Sequence, residues 1–334
     1  MRRRTFLSLA LAAVAGLTVL VVGCPKSPTA DPWAAAGNKP KVLVSFAPLY
    51  SFAASVAGPD AEVRCLLTTT GPHHHGDATS RQIELARGAN VIFINGLGLE
   101  DEGDGIIPKL QKVAAHPNWN VVNLGKKIDP EWLMEGECHH DHSKPDEDHE
   151  HGIDPHVWLS VRCAKVMAEG IRDELKRLDP AHADGYESRA AAYLKKLDRL
   201  EADGKAMLAP KQERWIVSFH EALNYFAKTY DLKVAGVIEV NPGQEPSEKQ
   251  LKTIIKKCTN PNAPARVIAV EPQYPTRSSA AKVRDALRGL PDRPVDAEFA
   301  EVDPLETCDE NDLSADLYEK VMRKNLAELA RVLR

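Results

Sequence analysis

The sequence predicts an α/β protein of two lobes, each a parallel sheet flanked by helices, joined by one long linker helix. Three observations predict it. Short β-branched runs alternate with helix-like stretches, the alternation gives way to an uninterrupted helical segment, and it then begins again.

In the first series the strand-like runs fall at residues 41–46, 61–67, 91–95 and 121–124, with helix-like stretches near 48–58, 78–88 and 104–115. A further helix follows position 160, with Val166 and Met167 on its apolar stripe. In the joining segment Tyr186, Ala190, Tyr193, Leu194, Leu197 and Leu200, then Met207 and Leu208, recur at helical spacing. Breakers are few between Pro180 and Pro210, with Gly204 the weak point, so roughly 25 residues of helix extend about 37 Å. In the second series strands are expected at 215–219, 234–240, 266–270 and 294–297, with helices near 221–230, 246–258, 276–289 and 312–333. The domain boundaries that follow are 41–180 for the N-terminal lobe, 181–210 for the linker helix and 211–334 for the C-terminal lobe.

The N-terminus predicts where the protein works. Arg2, Arg3 and Arg4 precede an apolar run at 6–22 that only Ser8 and Thr18 interrupt, and Gly23-Cys24-Pro25 closes it. Residues 1–23 thus read as a secretory leader, too marginal and too poorly stopped for a retained span. The placement of Cys24 resembles the lipobox of bacterial lipoproteins, which implies a lipid on that cysteine and a membrane anchor. Residues 24–40 carry Pro25, Pro28, Pro32 and Pro40 among polar residues and read as a flexible tether. The expected location is extracytoplasmic, lipid-anchored to the cell membrane or periplasmic.

The formal net charge is −5, and it becomes three units more negative without the leader's arginines. That balance argues against a nucleic-acid partner. Beyond Cys24 the cysteines are Cys65, Cys138, Cys163, Cys258 and Cys308; none forms a CxxC pair, which argues against a thiolate zinc knuckle.

Histidine is where chemistry concentrates. Six of the twelve histidines lie between 139 and 156, interleaved with carboxylates. Imidazole with carboxylate is the donor set of a borderline divalent cation such as zinc. His139, His140, His142, His149 and His151 fall in a charged stretch, 137–151, that reads as an auxiliary metal-collecting loop or as a solvated acidic insertion. Three other histidines sit at strand-to-helix junctions, where α/β folds gather ligands. These are His73 in Gly71-Pro72-His73, His156 in Asp154-Pro155-His156-Val157-Trp158, and His220 directly after the strand at 215–219. No HExxH motif is present, which weakens the alternative of a zinc-dependent hydrolase.

Several stretches together resemble the metal-binding solute-binding lipoproteins of ABC transporters for zinc and manganese. They are Gly71-Pro72-His73, residues 89–100, Asp154-Pro155-His156-Val157-Trp158, Phe219-His220-Glu221-Ala222 with Tyr225-Phe226, Glu245-Pro246-Ser247, Glu271-Pro272-Gln273 and Val302-Asp303-Pro304-Leu305. The resemblance implies a cleft between two lobes and a histidine-rich loop of the zinc type. It implies His73, His156 and His220 as metal ligands, with Asp303 as the fourth and Glu239 or water as its rival. His74 and His75 follow His73 where the family has an acidic-proline pattern, so either is an alternative there; Val161 stands where a proline is common. It also implies a disulfide between Cys258 and Cys308. The function implied is a monomeric receptor, not an enzyme, that binds Zn2+ and delivers it to a membrane permease. The alternatives are uptake of Mn2+ or Fe2+ by the same kind of receptor, and a surface adhesin. Neutral imidazoles are needed for ligation, so affinity is expected to fall below about pH 6.5.

Overall fold

A computed structural model describes residues 31–68, 77–114, 119–136, 152–239, 246–260, 264–273, 278–291 and 294–334. The first half runs β1 (Lys41–Val44), α1 (Ala47–Ala57), β2 (Glu62–Cys65), α2 (Ser80–Gly88), β3 (Val91–Ile94), α3 (Ile106–Ala114) and β4 (Val121–Asn123). After α4 (Val161–Leu178) and the long α5 (Ala183–Leu208), the second half runs β5 (Trp215–Ser218), α6 (Asn224–Thr229), β6 (Lys233–Val237) and α7 (Glu248–Cys258). It closes with β7 (Ala265–Val270), α8 (Ser278–Arg288), β8 (Glu298–Glu301) and α9 (Leu317–Val332).

Each half forms a four-stranded parallel sheet, in the orders β2-β1-β3-β4 and β6-β5-β7-β8. The two orders are equivalent, so each sheet reverses direction once, at β1/β3 and at β5/β7. Side chains that follow those strands meet at the open crevice beyond their C-terminal ends. Strands β1 and β3 are buried almost throughout, as a parallel sheet covered on both faces requires.

Local signals explain the helix starts. Thr79 with Gln82 forms a capping box at α2, and Ser247 with Gln250 forms another at α7. Helix α5 buries Tyr186, Ala190, Tyr193, Leu197, Leu200, Gly204 and Leu208 in one stripe. Gly204 is a point of close approach rather than weakness: a Cβ there would lie 2.5 Å from Tyr230 Cε1 and 2.7 Å from Leu326 Cδ1. Helix α5 packs on α1 and α4 at one end and on α9 at the other. Among ion pairs, Arg189–Asp60 at 2.7 Å ties it to the first half, and Arg323 of α9 reaches Asp203 at 2.9 Å.

Helix α9 is a second bridge between the halves. Ser51 Oγ of α1 donates to the Ala315 carbonyl at 2.7 Å, Tyr318 Oη donates to the Trp158 carbonyl at 2.8 Å, and Trp158 Nε1 donates to the Pro304 carbonyl at 2.8 Å. Phe52 and Tyr318 meet edge to face with ring centres 4.9 Å apart. One apolar core therefore runs from the first sheet through α5 and α9 into the second half, and a smaller one lies under the second sheet.

Two expectations need correction. The eighth strand is Glu298–Glu301, not 294–297. It is an edge strand with glutamates at both ends, and its lone aromatic, Phe299, lies under the Arg284 guanidinium at 4.5 Å, so little of it reads as apolar. The expected tether to residue 40 also ends too late: from Pro32 the chain is part of the folded unit. Trp33 is 2% exposed and its Nε1 donates to the Leu85 carbonyl at 3.0 Å. Gly88 leaves the space for it, since a Cβ there would lie 2.3 Å from Trp33 Cδ1. The leader at 1–23 and Cys24 lie outside the described residues.

Replacing Trp33 with Ala removes a buried indole and its hydrogen bond, and is expected to destabilise the protein by about 3 kcal/mol or more. Urea unfolding measures it; a loss below about 1 kcal/mol would show that the segment is merely laid on the surface.

Candidate metal centre

The second sheet delivers most of the site. His220 follows β5 by one residue beyond Phe219, and Glu271 follows the adjacent β7 directly, so both stand at the reversal point of the sheet. His220 Nδ1 lies 2.6 Å from each Glu271 carboxylate oxygen, and the His220 backbone N–H donates to the same group at 3.2 Å. Gln273 Nε2 donates to Glu271 Oε2 at 2.7 Å and steadies it.

The first half delivers His156. Asn95, which follows β3, donates through Nδ2 to the Pro155 carbonyl at 3.0 Å and anchors the Asp154-Pro155-His156 segment. Buried Glu100 holds that loop, accepting from Ser45 Oγ at 2.5 Å and from the Asn95 and Gly96 amides at 3.0 and 2.8 Å. Burial pushes the Glu100 carboxyl up to about 7, against these hydrogen bonds. Asp154 Oδ1 then accepts from both the backbone N–H of His156, at 2.9 Å, and its Nδ1, at 2.7 Å.

Both rings thus have Nδ1 turned to a carboxylate and Nε2 turned inward. Between the inward nitrogens stands Glu306, whose Oε1 is 2.9 Å from His220 Nε2 and 3.3 Å from His156 Nε2. The ring centres are 5.5 Å apart, and His156, His220 and Glu306 are each 5% exposed. Their ligand atoms lie within 4.8 Å of one another, the geometry of a group able to share one cation; it is the only such group of three or more among the described residues.

Glu306 was not singled out by the sequence; Asp303 was. The structure leaves Asp303 outside this group, its Oδ1 accepting from the Leu305 backbone N–H at 2.7 Å. Asn325 fixes the same turn, accepting from Asp303 N at 2.9 Å and donating to its carbonyl at 2.7 Å. Leu305 takes the left-handed conformation at φ 64°, an uncommon one for a leucine, and the chain bends so that Glu306 enters the cleft. Asp303 builds the turn and Glu306 uses it. The one signal in the sequence was a carboxylate three residues beyond the motif aspartate.

The other candidates fall as follows. Glu239 lies two residues beyond the second-sheet strand β6 and accepts from Ser279 Oγ at 2.9 Å, outside the group of three. Cys258 and Cys308 are free thiols rather than a disulfide: Cys258 is buried in the second core at the end of α7, whereas Cys308 is drawn toward the first half, its N–H donating to the Thr68 carbonyl at 3.1 Å. His73, His74, His75 and the loop histidines His139, His140, His142, His149 and His151 lie outside the described residues.

The electrostatics follow from the contacts. Burial lowers the His156 imidazole, but its hydrogen bonds to Asp154 and Glu306 outweigh that and raise it to about 9. At His220, burial is outweighed by the charges of Glu306 and Glu271, which hold the ring well above its ordinary value. Burial raises Glu306, yet the His220 charge and both imidazole contacts hold its carboxyl well below the usual range.

A model of the family described as zinc-uptake complex component A, periplasmic (ZnuA), matches residues 42–332. The zinc-binding lipoprotein AdcA of Streptococcus pneumoniae serotype 4 is 28% identical over 326 residues, covering 97% of this chain and 60% of the relative. The chain spans little more than half the length of such streptococcal relatives. The high-affinity zinc uptake system protein ZnuA of Bacillus subtilis is 28% identical over 252 residues, 74% of this chain and 77% of that protein. A crystal structure of ZnuA superposes with a TM-score of 0.70 at 27% identity, over 89% of this chain and all of that one. No described helix is long and apolar enough to cross a membrane.

A raised imidazole stabilises the folded state in full below about 6.5, its unfolded value, and that contribution disappears as pH rises through the folded value, about 9 for His156. Between those limits the metal-free protein is expected to lose thermal stability more steeply than a His156→Asn variant. Unfolding midpoints measured with chelator present test this; parallel curves would disprove the coupled array.

Proposed function

Because this chain belongs to the ZnuA family, we propose that it is the extracytoplasmic substrate-binding component of an ABC transporter, capturing Zn2+ between its halves and delivering it to a membrane permease. The observation that carries the proposal is the convergence of His156 and His220 on Glu306 in a buried cleft, each imidazole backed by its own carboxylate. Backing of that kind fixes the tautomer and ring orientation of a metal-bound histidine. With His73 as a third imidazole, the ligand set becomes three nitrogens and the Glu306 oxygen, a four-coordinate set that suits zinc better than manganese or iron. Catalysis is no part of this reading. A lipid on Cys24 would hold the receptor at the membrane, and the loop at 137–151 would serve as an auxiliary collector.

Zinc must displace protons. Both described imidazoles are raised in the metal-free site, so binding near pH 7 is expected to release about two protons from them. Affinity should then keep rising with pH beyond 6.5, up to about 9, which extends the window that unperturbed histidine would give. Calorimetry in buffers of different ionisation enthalpy counts the protons; none released would exclude these imidazoles as ligands.

Metal analysis of the purified protein should find one tightly held zinc. His220→Ala should weaken it by more than about 100-fold, beyond what loss of a ligand's outer partner costs. One manganese with no zinc would refute the choice of metal.

A further inference from the structure

The connection from β5 to α6 touches both imidazoles. It presents His220 at its start, and at its end Asn224 and Tyr225 reach across to the first half. Asn224 Nδ2 donates to Asp154 Oδ2 at 3.2 Å. Tyr225 Oη, on a side chain 2% exposed, donates to the Asp154 carbonyl at 3.1 Å and accepts from the Met134 backbone N–H at 2.8 Å.

Met134 and Asp154 belong to one short antiparallel stem. Asp154 N–H donates to the Met134 carbonyl at 2.9 Å, Gly136 N–H to the Gly152 carbonyl at 2.8 Å, and Glu135 pairs with Ile153. The Tyr225 hydroxyl therefore bonds both strands of the stem at the residue pair nearest His156. Asp154 divides its oxygens: Oδ1 serves the His156 ring and amide, while Oδ2 faces Asn224. The carboxylate that orients His156 is thus held from the opposite half of the molecule.

Resting on the receptor reading above, we propose that Asn224 and Tyr225 are positioning residues that lock Asp154, and through it His156, only while the two halves are closed. When the halves part at the cleft mouth, the Asn224 amide and the Tyr225 hydroxyl leave Asp154. Its carboxylate is then free to rotate, and the His156 ring loses its fixed orientation in the same movement that carries His220 and Glu306 away. Release of the ion is then cooperative: one displacement takes His220 and Glu306 from the ion and loosens His156.

Zinc release into excess chelator, followed by stopped flow on the full chain, tests the proposal. Tyr225→Phe keeps the ring packing and removes the hydroxyl; Asn224→Ala removes a half-buried amide with little packing. Each is expected to speed release by about 10-fold, the scale of losing a ligand's outer partner. In the zinc-loaded protein the downfield Nδ1–H resonance of His156 should shift in both variants, while that of His220, held by Glu271, should stay. A general loss of stability would move both resonances. Release within twofold of wild type, with the His156 resonance unmoved, would overturn the proposal. So would parallel shifts at both histidines. If Tyr225→Phe fails to fold, Asn224→Ala alone decides. A wild-type protein that takes up no zinc would instead sink the receptor reading, before any variant is compared.

Discussion

Everything in this site depends on a single chain of alternating carboxylates and imidazoles across the cleft: Asp154, His156, Glu306, His220, Glu271. All five are buried. Isolated charges in such a place would be neutralised by proton gain or loss, but alternation lets each group support its neighbours. With both imidazoles protonated, three carboxylates and two cations leave one net negative charge. A dication between two neutral imidazoles leaves the same charge. Two protons and one divalent ion are therefore electrostatic equivalents here. That equivalence allows the closed arrangement to exist with either occupant, at the cost of making protons a direct competitor.

The doubled sheet order explains why these five groups meet. A parallel sheet that reverses its winding opens a crevice at the reversal. Asn95 stands at the crevice of the first sheet and steers His156 through the Pro155 carbonyl. His220 and Glu271 stand at that of the second. Glu306 arrives less directly, on the loop after the edge strand β8. Hence its dependence on a built turn, in which Asp303, Asn325 and the left-handed Leu305 fix a path that the sheet itself does not dictate.

The same distinction decides what was legible in the sequence. Strand and helix alternation is a periodic signal, and it located both sheets and the long helix. His156 and His220 stood out because each adjoins a recognisable junction. Glu306 did not, because the choice between it and Asp303 lies in backbone dihedrals and one side-chain-to-amide hydrogen bond, neither of which leaves a periodic trace. Trp33 was hidden for a different reason. Composition assigns a proline-rich polar stretch to an extended tether, and one indole opposite Gly88 overrides that average. The cysteine pairing failed because pairing is decided by tertiary position: α7 buries Cys258 in the second core while the loop after Glu306 carries Cys308 toward Thr68.

On the receptor reading proposed above, the second bridge constrains how far the halves open. If α5 alone joined the halves, a wide hinge motion would meet little resistance. Helix α9, however, packs Tyr318 on Phe52 and bonds Trp158, and Trp158 in turn bonds the Pro304 carbonyl. Each of these aromatic side chains buries about 150–250 Å2, and at about 25 cal/mol per Å2 exposing even one costs about 4 kcal/mol or more. The polar contacts at the cleft mouth, made largely to carboxylates, are individually worth about 1–3 kcal/mol. The weaker set yields first. On the receptor reading, opening would be a local parting of the mouth around Asp154, Asn224 and Glu306, with the aromatic belt intact, rather than a swing of two bodies about a helix. A small parting suffices, because the contacts that cross between the halves, His156 Nε2 to Glu306 at 3.3 Å and Asn224 Nδ2 to Asp154 at 3.2 Å, are already long for hydrogen bonds, and a further displacement of about an ångström breaks them.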